Sequence, residues 1–179
     1  MKLVIVTGMP GAGKSEVAEA FKNAGIRIVV MGDVIRDEAR SRGLESSPEN
    51  TKEIMLELRK QSGMGAVALR CVNQLKEIEE DVAVIEGCRS LAEVDIFDDF
   101  ADEVTILGVH APPRLRYERL CKRCREDAPP SWEVFRERDL RELSVGLGGV
   151  IALSDIMLVN DGTLESLCER SRQLVERLV

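Results

Sequence analysis

The chain has 179 residues, 44% of them hydrophobic and 32% charged, which suits one domain spanning residues 1–179 with a core that must be aliphatic, since only 3% is aromatic. A formal net charge of −7 excludes the broadly cationic surface that duplex binders use to displace counterions, and the scarcity of aromatics excludes a base-stacking platform. The five cysteines form no dense framework, and the apolar run at 3–6 is too short for a membrane span or a signal segment; the expectation is a cytoplasmic protein with no nucleic-acid or membrane partner.

Residues 3–7 (LVIVT) are a continuous β-rich run, which predicts a strand buried on both faces, as in a parallel sheet. A glycine-rich loop follows, then a helix over 14–23 that Gly25 is placed to stop. Residues 26–30 predict a second strand ending in Met31-Gly32-Asp33, with a helix from 34 to about 42. Ser46-Ser47-Pro48-Glu49 is a helix start, with a serine cap, proline in the first turn and a glutamate able to reach back; that helix runs to about 61. Ser62-Gly63-Met64-Gly65 interrupts it, and another helix covers 66–79. A third strand is predicted over 82–86, and Ser90, with Glu93 at capping-box spacing, opens a short helix. A fourth strand covers 104–109, and Pro112-Pro113 opens an arginine-rich helix to about 125. Asp127-Ala128-Pro129-Pro130 breaks the pattern, Ser131 starts another helix, 156–159 is a fifth strand and 163–178 a closing helix. This alternation predicts an α/β fold with a five-stranded, mostly parallel sheet and helices on both faces. Segments 34–80 and 112–143 exceed what crossovers require and are the natural places for substrate-binding additions.

Gly8-Met9-Pro10-Gly11-Ala12-Gly13-Lys14-Ser15 fits G-x-x-x-x-G-K-[ST] in full, between a strand and a helix start. Glycines let the backbone curl so that several N–H groups face phosphate oxygens, and the helix N-terminus adds partial positive charge. Lys14 adds a full charge and the Ser15 hydroxyl can ligate Mg²⁺. With Glu16 just inside the helix, Gly8, Gly11, Ala12, Gly13, Lys14 and Ser15 form the expected ATP-binding set of a P-loop NTPase fold.

Further motifs resemble the nucleoside-monophosphate kinases. The loop resembles that of adenylate kinase, Gly32-Asp33-x-x-Arg36 resembles its G-D-x-[LI]-R, and Glu86-Gly87-Cys88-Arg89 resembles its D-G-[FY]-P-R, one residue shorter. Arg119-Leu120-x-x-Arg123 is similar to the R-[IL]-x-x-R at the lid edge, and Arg125-Glu126-Asp127 with Arg136 is similar to the lid's later residues. Arg42-Gly43-x4-Pro48-Glu49-Asn50 and Arg138-Asp139-x-Arg141-Glu142-Leu143 resemble an archaeal group of adenylate-kinase-related P-loop kinases that is also similar to dephospho-CoA kinase. The resemblance covers about residues 3–163.

It implies an ATP-dependent kinase with a helical acceptor insert and a short lid, using ATP and Mg²⁺. Arg36 and Arg89, with Asp33 and Gly87, would hold the acceptor; Ser15, Asp33 and Glu86 would serve the metal. Arg119 would lie on the donor adenine, while Lys14, Arg123, Arg125, Arg136 and Arg138 would surround the transferring phosphoryl group. The loop Asn160-Asp161-Gly162-Thr163 would approach the adenine, or simply form a turn with a helix cap. The implied acceptor is AMP or an AMP-like nucleotide; a dephospho-CoA acceptor, or a nucleotide-sensing ATPase with a regulatory or assembly role, stands beside it. The chain departs from the pattern at Met31, where adenylate kinases usually have threonine, at Glu86, where they have aspartate, and in lacking the proline before Arg89. Cys121 and Cys124 have the spacing of half a zinc site, but no second pair lies nearby and helix packing is the reading; His110 reads as a polar strand end.

Overall fold

Strand β1 (Lys2–Thr7) lies mid-sheet, and its Leu3, Val4, Ile5 and Val6 are completely buried, as an uninterrupted apolar strand must be when both faces are covered. The computed structural model describes residues 1–123 and 128–179, so the expected roles of Arg125 and Cys124 lie outside the described residues. The sheet has the order β2 (Arg27–Val30), β3 (Val82–Glu86), β1, β4 (Glu103–His110), β5 (Ile156–Val159). Every pairing is parallel, so the sheet is wholly rather than mostly parallel. Alternate side chains feed two cores. Val4, Val6, Val84, Leu107 and Val109 pack under α1 (Lys14–Asn23) and α9 (Leu164–Leu178). Leu3, Ile5, Ala83 and Ile85 pack under α2 (Met31–Ser41), α3 (Pro48–Ser62), α4 (Ala66–Leu75) and α5 (Leu91–Phe100). Each fully buried valine, leucine or isoleucine among them contributes about 1.5–3 kcal/mol.

The helices begin where short polar side chains can accept from free N–H groups. Ser47, Ser90, Ser131 and Thr163 cap α3, α5, α7 (Trp132–Val145) and α9, and Ser90 with Glu93 forms the complete capping box. Four segments differ from expectation. Met31-Gly32-Asp33 is the first turn of α2 rather than a strand end, because Met31 is needed in the core and Asp33 suits a helix N-terminus. Helix α4 stops at Leu75, short of Glu77, Glu79 and Glu80, which oppose the negative end of the helix dipole. Helix α6 (Pro113–Lys122) stops at Lys122 rather than running to 125. A short helix, α8 (Leu147–Ala152), was not legible through its two glycines, whose helix propensity is poor; burial of Leu147 and Val150 holds it.

Helices α6 and α7 are joined by an aromatic cluster. Trp132 stacks on Phe135 with centroids 5.1 Å apart, Tyr117 meets both rings edge-on, and the Arg114 guanidinium lies 4.9 Å from the Trp132 ring centre.

Candidate active site

The glycine-rich loop leaves the C-terminal end of β1, the edge of a parallel sheet at which ligands bind. Glycine is required at two of its positions by contact as well as conformation. A Cβ at Gly8 would lie 2.2 Å from the Val109 carbonyl oxygen, and one at Gly13, where φ is 106°, would lie 2.5 Å from Asn160 Nδ2. Gly13 stands at the cap position of helix α1 and offers no side-chain cap, so the helix's first N–H groups stay available to an anion. Lys14 is half-buried, and its Nζ donates to the carbonyls of Gly8 at 2.8 Å and Met9 at 3.3 Å, which holds the ammonium over the loop. Desolvation, reinforced by Arg89 and Arg138 and opposed by Glu86 and Glu142, lowers its pKa to about 8. Gly11 and Ala12 sit in the loop and Glu16 in the first turn of α1.

Ser15 Oγ donates to Glu86 Oε1 at 3.0 Å, so a hydroxyl and a carboxylate from separate elements meet beside the loop. That pair fits the hard-oxygen ligand set of Mg²⁺. Asp33 is exposed and is engaged by Arg36, whose Nε donates to Oδ1 at 2.9 Å and whose Nη2 contacts the same oxygen. Of the two roles open to this carboxylate, holding metal-bound water and orienting an arginine, the observed contact is the second.

A cavity of about 740 Å³ opens between the loop, α2, α3 and α7. Its lining includes Lys14, Glu86, Gly87 and Arg89 from the sheet edge, Arg36 from α2 and Arg138 from α7. The structure thus brings together residues separated by more than a hundred positions. Gly87, with φ 98°, turns the chain after β3 and donates its N–H to the Val6 carbonyl. Arg89 lies 3.4 Å from the Glu142 carboxylate of α7. Arg123 and Arg136 are both exposed and do not line this cavity. Arg119 donates to the carbonyl oxygen and Oδ1 of Asn160 at 3.2 and 3.1 Å, tying α6 to the loop after β5. Asn160 in turn donates Nδ2 to the Ala12 carbonyl at 2.8 Å, so that loop braces the phosphate loop itself. His110 ends β4 exposed, and its carbonyl accepts the Asn160 N–H.

Charged lining residues not expected at the site are Lys52 and Arg59 of α3, Arg141 and Glu142 of α7, and Glu93, expected only as a helix cap. For the α7 pair the arginine-acid run 138–142 was the only available signal; for the α3 pair there was none. Buried Arg116 was missed as well. It forms a two-bond ion pair with Asp139 at 2.9 and 2.6 Å and donates to the carbonyls of Pro10 and Ala111. Cys121 is exposed rather than packed in a helix interface, its thiol 3.8 Å from the Pro129 carbonyl. Among the described residues no group of three or more His, Cys, Asp or Glu side chains is arranged to hold a metal ion, and no helix is long and apolar enough to cross a membrane.

Residues 7–136 match the family model described as AAA domain. Over 181 aligned residues the chain is 45% identical to a UPF0200 protein of Thermococcus onnurineus, covering 99% of this chain and 98% of that one. The chain belongs to the UPF0200 family. Another UPF0200 protein, from Methanocaldococcus jannaschii, is 41% identical over 100% of this chain and 91% of its own. Among solved structures, the fold is similar to shikimate kinase from Bacteroides thetaiotaomicron (TM-score 0.64, 16% identity, 97% of this chain and 98% of that one). It is also similar to a gluconokinase from Sinorhizobium meliloti (TM-score 0.59, 15% identity, 99% and 93%). These likenesses establish that this UPF0200 chain has a P-loop kinase-like fold.

Proposed function

We propose that this UPF0200 chain is an ATP-dependent phosphotransferase of the nucleoside-monophosphate-kinase type, with AMP or an AMP-like nucleotide as acceptor. The observation that carries the reading is the shared cavity: Lys14 of the phosphate loop and the two arginines Arg36 and Arg89 line one space, so that donor and acceptor phosphates can meet there. The uncapped N-terminus of α1 and the loop N–H groups hold the donor's β- and γ-phosphates. Arg36 and Arg89 hold the acceptor phosphate, each able to bind two oxygens through its planar fork. Asp33 orients Arg36, and Glu142 does the same for Arg89. Ser15 and Glu86 are the residues that would hold Mg²⁺, which when bound neutralises charge on the donor phosphates. Arg138, at the cavity wall, is the lid-side cation best placed to meet the moving group. Arg119 and the Asn160 loop flank the donor side, and segment 112–143, with Arg123, Arg125 and Arg136, serves as a short lid that excludes water. Segment 34–80 serves as the acceptor insert.

The test is a pair of variants read by calorimetry and by a coupled ADP-release assay. Lys14→Ala is expected to abolish use of ATP. Arg89→Ala is expected to weaken AMP by about 1.5–3 kcal/mol while ATP affinity holds. Unchanged AMP affinity beside an equal loss of ATP affinity would remove Arg89 from the acceptor site. Hydrolysis of ATP with no transfer to AMP or to dephospho-CoA would favour the nucleotide-sensing ATPase.

A further inference from the structure

Arg59 is the anomaly of the cavity wall. Its side chain is only 10% exposed, and its Nε is the one buried side-chain nitrogen or oxygen among the described residues that makes no hydrogen bond. The carboxylate paired with this guanidinium, Glu93, places Oε1 3.7 Å from Nη2, beyond direct hydrogen-bond distance. Glu93 has other work: its Oε2 accepts from the backbone N–H of Arg89 at 2.7 Å and of Ser90 at 3.2 Å, closing the capping box of α5. This chain does build a tight buried pair elsewhere, with Arg116 and Asp139 in two-bond contact at 2.6 and 2.9 Å. Burying a guanidinium is costly unless its N–H groups find acceptors. Arg59 is therefore held near a carboxylate that balances its charge without consuming its donors, and it lines the same cavity as Arg36 and Arg89.

We infer that Arg59 is a further acceptor-binding residue, a third guanidinium that receives the anionic oxygens of the acceptor alongside Arg36 and Arg89. The assignment deepens the kinase reading and rests on it for the identity of the acceptor. It also states what kind of molecule fits. The lining beside Arg59 is aliphatic and thioether, from Ile35, Met55, Leu56 and Val67, and no described lining residue is aromatic. The acceptor is thus an anion whose body is gripped by apolar side chains rather than stacked on a ring. Glu93 has a defined part: its charge holds Arg59 in the wall, and it competes with the ligand for that charge.

The experiment titrates AMP into protein whose phosphate loop is saturated with magnesium and a non-hydrolysable ATP analogue. Wild type, Arg59→Met, Arg59→Lys and Glu93→Gln are compared, with thermal unfolding of each variant as a control on folding. Arg59→Met is expected to weaken AMP at least about tenfold and Arg59→Lys less, since one point charge survives without the fork. Glu93→Gln keeps an oxygen for the capping box and removes the competing charge, so it is expected to tighten AMP by about threefold or more. A purely structural Arg59 gives no tightening in Glu93→Gln, and that result overturns the assignment, as does unchanged AMP affinity in Arg59→Met. Equal weakening of AMP and the ATP analogue in Arg59→Met, with lowered thermal stability, also overturns it. Should wild type bind no AMP, the nucleotide reading fails on its own. The series is then read with inorganic phosphate, as the rise in Tm over chloride at matched ionic strength. A phosphate-induced rise that disappears in Arg59→Met supports the anion site, and one indifferent to Arg59 overturns it.

Discussion

At Lys14, burial sets a pH limit on triphosphate binding. Its pKa is lowered from 10.5 to about 8 chiefly by desolvation, so above pH 8 the empty loop holds a largely neutral amine. Phosphate oxygens favour the charged form, and binding above that pH must take up a proton. ATP affinity is therefore expected to fall as pH rises from 8 towards 10, with a proton uptake that calorimetry in buffers of different ionisation enthalpy will count. Stability of the ligand-free protein moves the other way. The unfolded chain retains the Lys14 proton up to about 10.5 and the folded chain only to about 8, so this residue's contribution rises with pH through that window. The cysteines also differ by environment: burial pushes the Cys71 thiol up to about 12 and Cys88 higher still, while Cys121 and Cys168 are exposed. Alkylation at neutral pH is expected to label Cys121 and Cys168 well before Cys71 and Cys88, read by mass spectrometry of timed digests.

Among the secondary-structure elements, the Arg116–Asp139 pair is the buried ionic tie between α6 and α7, and through Pro10 it reaches the phosphate loop. Asp139→Ala leaves a buried guanidinium without its counter-charge and is expected to cost about 3–5 kcal/mol, measurable by urea unfolding. A much smaller loss would mean that Arg116 is satisfied by the Pro10 and Ala111 carbonyls alone. Elements of this kind mark how far the sequence could be read. The strands, the loop, and the caps at Ser90, Ser131 and Thr163 were legible because each rests on local chemistry: a β-rich run, a glycine spacing, a hydroxyl two or three residues ahead of an N–H. Helix α8 was illegible because tertiary burial of Leu147 and Val150 overrides two glycines. Arg59 and Glu142 were illegible as cavity residues for a related reason. They reach the cavity through the packing of α3 and α7, and nothing in their own spacing records where those helices dock. The motif residues Arg36 and Arg89 were found because they sit next to strand ends, whose position in a parallel sheet is fixed.

For the molecule as a whole, charge is unevenly distributed. The chain carries a net −7, yet lysine and arginine outnumber the carboxylates Glu86, Glu93 and Glu142 in the lining of the cavity. A cationic cleft in an acidic body draws in small anions while the outer surface repels large polyanions. Acceptor affinity is accordingly expected to drop several-fold between roughly 0.05 and 0.5 M salt, because screening reaches the cavity mouth. A salt-independent KM for the acceptor would show that its binding is dominated by the apolar wall instead. The two cores on opposite faces of the sheet make this arrangement rigid: one seats the phosphate loop through α1, the other seats the helices that carry Arg36 and Arg59.

The aromatic junction between α6 and α7 has an optical consequence. Trp132 is the single tryptophan of the chain, and its indole is pressed between Phe135 of its own helix and Tyr117 and Arg114 of the other. Its emission is a label-free gauge of the contact between these two helices. Should nucleotide draw α6 across α7, the indole exchanges ring faces for solvent and its spectrum shifts during mixing; should the two helices travel as one block, the emission stays constant while ligand binds.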